Sequence, residues 1–193
     1  MAEPAVDAVA EIEAELNAVT EQARRLIDST DGRLFTVRPA LGSWSASECI
    51  AHINLFSELF LPVLGPAIND ARERKLVATK KPAKMDLLGR ILRWFLEPPT
   101  RQRLKTSAPF VPKSIRAKSE SFAEFVTLQN QLIDLARAAR GIDLGRRIVS
   151  PFDKRLKFNL YSAFRIVAAH ERRHLWQAEQ AVAALRAKAQ QAS

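Results

Sequence analysis

The chain has 193 residues, of which 47% are hydrophobic, with a formal net charge of +9 and a single cysteine. That length supports one substantial core and a single domain over residues 1–193 with frayed termini, and leaves little room for two independent domains. One cysteine rules out an intrachain disulfide and any zinc site built from several thiolates of one subunit. No uninterrupted apolar run approaches the ~20 residues that cross a bilayer, and the start Met1-Ala2-Glu3-Pro4 lacks the features of a secretory segment. The expectation is a cytoplasmic protein without a transmembrane segment.

From Val6 to about Ser29, the residues Val6, Val9, Ile12, Leu16, Val19, Ala23 and Leu26 recur every three or four positions. Glu11, Glu13, Glu15 and Arg24 fill the intervening sites, so the spacing predicts an amphipathic helix. Asp28 to Leu41 contains Gly32 and Pro39 and reads as an irregular connection. Ser45 then precedes Glu48 by three positions. A hydroxyl there can accept a backbone amide bond while the carboxylate reaches back to the first turn, so a second helix begins near Ala46. Its core stripe is Cys49, Ile53, Phe56, Phe60 and Leu64, with His52 beside Ile53 near the same side. Pro62 and Pro66 each remove an amide donor and are expected to bend this helix or end it early.

Residues 71 to 85 are rich in Arg and Lys, after which Leu87, Leu88, Ile91, Leu92, Phe95 and Leu96 predict a short amphipathic helix ending at Pro98-Pro99. Packing across the bundle is the expected use of its apolar side; contact with a membrane surface, suggested by Arg90, Arg93 and Trp94, is the alternative. Residues 100 to 118 carry Arg101, Arg103, Lys105, Lys113, Arg116 and Lys118 without a carboxylate. This reads as a solvated basic surface, since no zinc-finger or RNA-recognition spacing accompanies it, and sequence-specific nucleic-acid binding is not expected. With Pro109 and Pro112 and no persistent periodicity, the stretch is long for a passive connection. It either crosses the bundle end, covers a pocket or stays mobile.

Ser121 and Glu124 repeat the capping-box spacing before Phe125, Leu128, Leu132, Leu135 and Ala136, and Gly141 supplies a stop. The last helix follows Asn159, with Leu160, Ala163, Val167, His170, His174, Ala178, Ala181 and Leu185 along one side. The sum is an all-α four-helix bundle with a short accessory helix and a long connection between the second and third principal helices.

His170 and His174 leave the last helix on one side, one turn apart, and His52 sits near the start of another helix. Burying a neutral imidazole costs hydrogen-bonding free energy unless both nitrogens find partners, and coordination satisfies one of them. Three converging imidazoles form an open site for a divalent cation that lowers the pKa of bound water toward ~7 and polarises carbonyls or stabilises thiolates. Zinc and nickel lead the candidates, with iron and cobalt also compatible with imidazole. The competing reading gives His170 and His174 separate core hydrogen bonds with His52 elsewhere.

Glu48 is placed to orient His52, act as an acid/base group or become a further ligand, but its capping-box position competes with all three. Cys49 reads as packing before chemistry. Glu171 is rotated about a quarter turn from His170 and reads as a surface or outer residue rather than a base. Gln177 and Tyr161 are candidate polar pocket residues, and Trp44 and Trp176 read as packing groups. No glycine-rich phosphate loop or Ser-His-Asp arrangement is present.

Trp44-Ser45-Ala46-Ser47-Glu48-Cys49-Ile50-Ala51-His52, followed far downstream by His170-Glu171-Arg172-Arg173-His174-Leu175-Trp176-Gln177, resembles the DinB-like (DinB/YfiT-like) metalloprotein superfamily over most of residues 8 to 188. The resemblance implies a four-helix bundle whose metal ligands are His52, His170 and His174, with the second and third principal helices running in the same direction. Relatives in that superfamily include thiol-dependent transferases and isomerases. By that resemblance the chain is expected to activate water or a low-molecular-weight thiol toward a small-molecule electrophile, as a transferase or hydrolase. A noncatalytic metal or ligand-binding bundle is the alternative, and a homodimer is compatible with either.

Overall fold

The structure is a computed structural model that describes residues 7–79, 81–99, 106 and 110–191. The expected start at Val6, the frayed termini and the basic residues Arg101, Arg103 and Lys105, with Pro109, lie outside the described residues. Helix α1 (Ala8–Ser29) begins where the Asp7 carboxylate accepts the Val9 amide at 3.0 Å. It buries Val9, Ile12, Leu16, Val19, Ala23 and Leu26, the stripe its spacing predicts. The connection after it is more ordered than expected: Asp31 caps a five-residue helix, α2 (Gly32–Thr36), which inserts a fully buried Phe35 into the core.

Helix α3 (Ala46–Glu73) starts at the Ser45/Glu48 capping box, with both reciprocal bonds formed. It neither stops nor breaks at Pro62 or Pro66. The missing Pro66 amide is the one that would have reached the Pro62 carbonyl, and the missing Pro62 amide would have reached Glu58. Glu58, Pro62 and Pro66 are all exposed, so water can satisfy the freed carbonyls. By length and composition α3 could cross a membrane, yet it is the central core helix, with Cys49, Ile50, Ile53, Phe60 and Leu64 at 0% exposure.

Helix α4 (Leu87–Leu96) lies where its periodicity places it and packs on the last helix. Helix α5 (Lys118–Ala138) starts a turn earlier than the Ser121/Glu124 pattern implies. Its N-cap is Ala117, without a side-chain bond; Ser121 is buried inside the helix and Glu124 accepts from Asn54 Nδ2 at 2.8 Å. The capping spacing was therefore coincidental there: Ser121 is buried within the helix, and Asn54 and Arg116 hold the Glu124 carboxylate. The chain leaves α5 through Gly141, whose φ of 81° favours glycine.

A small antiparallel hairpin, absent from the sequence reading, follows: β1 (Arg147–Val149) and β2 (Lys157–Asn159), with Ile148 opposite Phe158. Asn159 then caps α6 (Leu160–Gln191) by accepting the Ser162 amide at 2.7 Å. Asp86 ties this corner to α4, accepting from the Gly89 and Asn159 amides and from the Ser162 hydroxyl.

In the bundle α3 packs against α5 and α6, and α1 against the same two from the opposite side. Directions follow from cross-links. Asn54 meets Ser121 near the starts of α3 and α5, while Arg72 meets Ala138 near their ends, so these two helices are parallel. Glu11 meets Arg165 and Gln22 meets Glu179, so α1 and α6 are parallel too. Phe60 stacks toward Phe158 while Phe56 reaches His170, so α3 and α6 are antiparallel. The long connection is what permits α3 and α5 to share a direction.

A candidate metal centre

The antiparallel pairing of α3 with α6 sets the first turns of α3 against the middle of α6. There His52, His170 and His174 are 5%, 5% and 7% exposed. Their ligand-capable nitrogens all lie within 4.8 Å of one another, a cluster able to coordinate a divalent cation. Ring centroids are 4.4 Å apart for His52 and His174, 4.5 Å for His170 and His174, and 5.0 Å for His52 and His170.

The outer nitrogens determine which atoms face inward. His52 Nδ1 donates to the Phe110 carbonyl at 2.8 Å, and His174 Nδ1 donates to Gln177 Oε1 at 3.0 Å. A carbonyl oxygen can only accept, so both rings carry their proton outward and turn a bare Nε2 toward the cluster. His170 is held differently: its ring lies on Phe56 with centroids 3.5 Å apart and planes 10° apart, and its Nδ1 has no hydrogen-bond partner among the described residues. His170 Nε2 is 3.2 Å from His52 Nε2. Two tetrahedral ligands at zinc-nitrogen distances would be about 3.3 Å apart. The His52–His170 pair thus has the spacing of two ligands on one cation, with His174 within 4.8 Å of both.

Electrostatics keep the rings neutral. Burial lowers the His52 pKa, outweighing the Phe110 bond that raises it. Burial, reinforced by His174, His52 and Arg173, drives His170 well below 6.5. Burial and the His52 ring bring His174 down to about 3, although Gln177 opposes this. Neutral imidazole is the form that coordinates.

Other singled-out residues separate from the cluster. Glu48 is 2% exposed; Arg38 Nε donates to its Oε2 at 2.9 Å, and the Ser45 amide and hydroxyl donate to the same oxygen. Burial alone would raise this carboxyl, but Arg38 and Ser45 hold it below its ordinary value. Cys49 is fully buried, and burial with the Glu48 charge pushes its thiol up. Tyr161 faces α1, where its hydroxyl donates to Glu11 and accepts from Arg165. Trp176 is half-buried. Trp44 does more than pack, because its ring lies 5.0 Å from His52 and 6.0 Å from His174.

Two contributors escaped sequence reading. Phe110, from the long connection, supplies the carbonyl for His52, and a main-chain acceptor leaves no side-chain signature. Phe56 belongs to the core stripe by its spacing, and the fold lays its ring against His170. Of the two placements open for Glu171, surface or outer residue, burial excludes the surface: it accepts from Ser57 at 3.2 Å, and burial raises its carboxyl to about 7 against the pull of Gln129, Ser57 and Arg172.

A family model described as the DinB superfamily matches residues 15–178. No curated protein and no solved structure matches the chain.

Proposed function

The chain belongs to the DinB superfamily, and from that premise we propose that His52, His170 and His174 ligate one divalent cation at which water or a small-molecule thiol is activated toward an electrophile. Zinc and nickel are the leading candidates, then iron and cobalt. The observation that carries this reading is the outward protonation of His52 and His174, which leaves two bare nitrogens converging beside that of His170. When bound, the cation supplies Lewis acidity, bringing the pKa of a coordinated water toward about 7 and favouring the thiolate form of a thiol.

The chain's own residues restrict what completes the site. No carboxylate or cysteine joins the histidine cluster among the described residues. Three neutral donors leave the dipositive charge uncompensated, which favours an anionic fourth donor from solution, such as a thiolate. Cys49 does not serve as that donor, because it is buried and its thiol is pushed up. Phe56 stacks on the His170 ring and Trp44 packs at a tilt against His52, which helps bury the ligands and strengthens electrostatic interactions inside. Phe110 and Gln177 fix two ring orientations.

A noncatalytic role is the second reading, favoured by the 3.2 Å approach of His52 and His170, which two neutral imidazoles can also make by hydrogen bonding. Cobalt(II) titration separates the two. The proposal expects one cobalt per chain, a visible spectrum that changes when 2-mercaptoethanol is added, and loss of uptake in His52→Ala with helicity retained. A cobalt spectrum indifferent to thiol would favour the noncatalytic bundle, and absence of uptake would remove the centre. Thiol consumption with a panel of small electrophiles then tests turnover.

A further inference from the structure

Helix α4 is apolar on two sides, and the bundle covers one of them. Leu88, Leu92 and Leu96 pack inward, together with the buried Gly89. On the other side Leu87 is 71% exposed, Trp94 52%, Ile91 44% and Phe95 36%. At 3.6 residues per turn these four fall within an arc of about 100°. The Trp94 and Phe95 rings meet edge to face with centroids 4.8 Å apart. Four large apolar side chains gathered on a ten-residue helix form a patch rather than scattered exposure.

A cavity of about 550 Å³ adjoins this stripe, lined by Met85, Arg90, Arg93, Trp94, Glu97 and Arg172. Two of its guanidinium groups are compensated: Glu97 bridges Arg93 and Arg172, and Glu15 of α1 pairs with the same two. Arg90 is exposed and forms no ion pair among the described residues, and Lys81 and Lys84 are exposed just before the helix. Asp86 offers no compensation outward, since it accepts from Gly89, Asn159 and Ser162. The apolar stripe is therefore bordered by positive charge from Arg90, Lys81 and Lys84. A second copy of a chain with net charge +9 would set like charge against it. An anionic phospholipid surface matches both halves of the patch, because interfacial helices pair buried Trp, Phe, Leu or Ile with flanking Arg and Lys.

We propose that α4 docks on an anionic phospholipid bilayer, with Leu87, Ile91, Trp94 and Phe95 entering the boundary between headgroups and acyl chains and Arg90 meeting lipid phosphate at the cavity mouth. The interaction is peripheral and reversible, and it does not depend on the histidine cluster. Flotation of the full chain with phosphatidylcholine vesicles, with and without phosphatidylglycerol, tests it. The expected result is flotation only with phosphatidylglycerol, weakened by salt, with a blue shift of tryptophan emission that Trp94→Phe diminishes. Ile91→Glu should lower partitioning by about tenfold or more, and Arg90→Gln by a smaller factor, with helicity and cobalt uptake unchanged. Equal flotation of wild type and Ile91→Glu, equal binding to both vesicle types, or no binding to either would overturn the proposal. So would a dimer in sedimentation that Ile91→Glu dissociates, since a second copy would then cover the stripe.

Discussion

Gly89 is a point of close approach between α4 and α6, and replacing it with alanine should cost stability even though alanine is the better helix former. A Cβ at this position would overlap Ser162 Oγ and Cβ and come within 2.9 Å of Asp86 Oδ1. To restore ordinary contact near 3.5 Å or more, α4 would have to retreat by about 1 Å. That retreat strains the corner where the Asp86 amide donates to Ser162 Oγ at 3.1 Å and the Asn159 amide donates to Asp86 Oδ2 at 2.9 Å. Overpacking of this kind costs about 1–3 kcal/mol and a weakened charged hydrogen bond about 1–2 kcal/mol more, against a propensity gain of about 1 kcal/mol. Gly89→Ala should therefore destabilise the fold by about 1–4 kcal/mol in urea denaturation followed by circular dichroism. Gly32→Ala is the control: nothing lies within 4 Å of its added Cβ, so it should stabilise by about 0.4–1 kcal/mol. Ser162→Gly placed in the Gly89→Ala background should recover part of the loss, giving a non-additive pair. Wild-type stability for Gly89→Ala, or a gain equal to that of Gly32→Ala, would refute the close approach on which the estimate rests.

Gln177→Leu removes the acceptor that orients His174, and cation affinity measured by chelator competition should fall about 10- to 100-fold while the fold persists. Ser45→Ala deletes the hydroxyl that accepts the Glu48 amide and donates to its carboxylate, and should cost about 1–2 kcal/mol in thermal denaturation. The pH dependence of the cation-free protein has a defined sign. The three imidazoles are held below 6.5 when folded, His174 at about 3. When unfolded they return to about 6.5 and bind protons that the folded state refuses. Their contribution is complete above about pH 6.5 and is lost as pH falls through that value toward the folded pKa values, by up to about 1.4 kcal/mol per unit for each ring. Urea midpoints of chelated protein at about pH 7 and about pH 5 check this against a His174→Gln variant, whose midpoint should shift less.

What the sequence disclosed depended on how local the cause was. The Ser45/Glu48 cap is made by residues three apart, so its spacing carried over directly into α3. The same spacing at Ser121 and Glu124 misled, because Asn54 and Arg116 engage Glu124 and the helix begins at Lys118. Pro62 and Pro66 look like breakers one at a time; together, four apart on an exposed face, they leave α3 continuous. Helix α2 and the three-residue strands are too short to show periodicity and are fixed by Phe35, Ile148 and Phe158 reaching the core. The histidine cluster was legible because His170 and His174 share a helix face and only one further histidine exists. Its supports were less legible. Phe110 acts through its main chain, and Phe56 meets the His170 ring only once α3 and α6 pack.

Diffraction from crystals of cation-loaded protein prepared without an affinity tag, with data collected on both sides of the absorption edge of the added ion, examines the central claim most directly. The account predicts one anomalous peak per chain, about 2.0–2.1 Å from a nitrogen of each of His52, His170 and His174, with a fourth donor from solvent or added thiol. A saturated sample with no peak among these rings, or with the cation bound elsewhere, would contradict it.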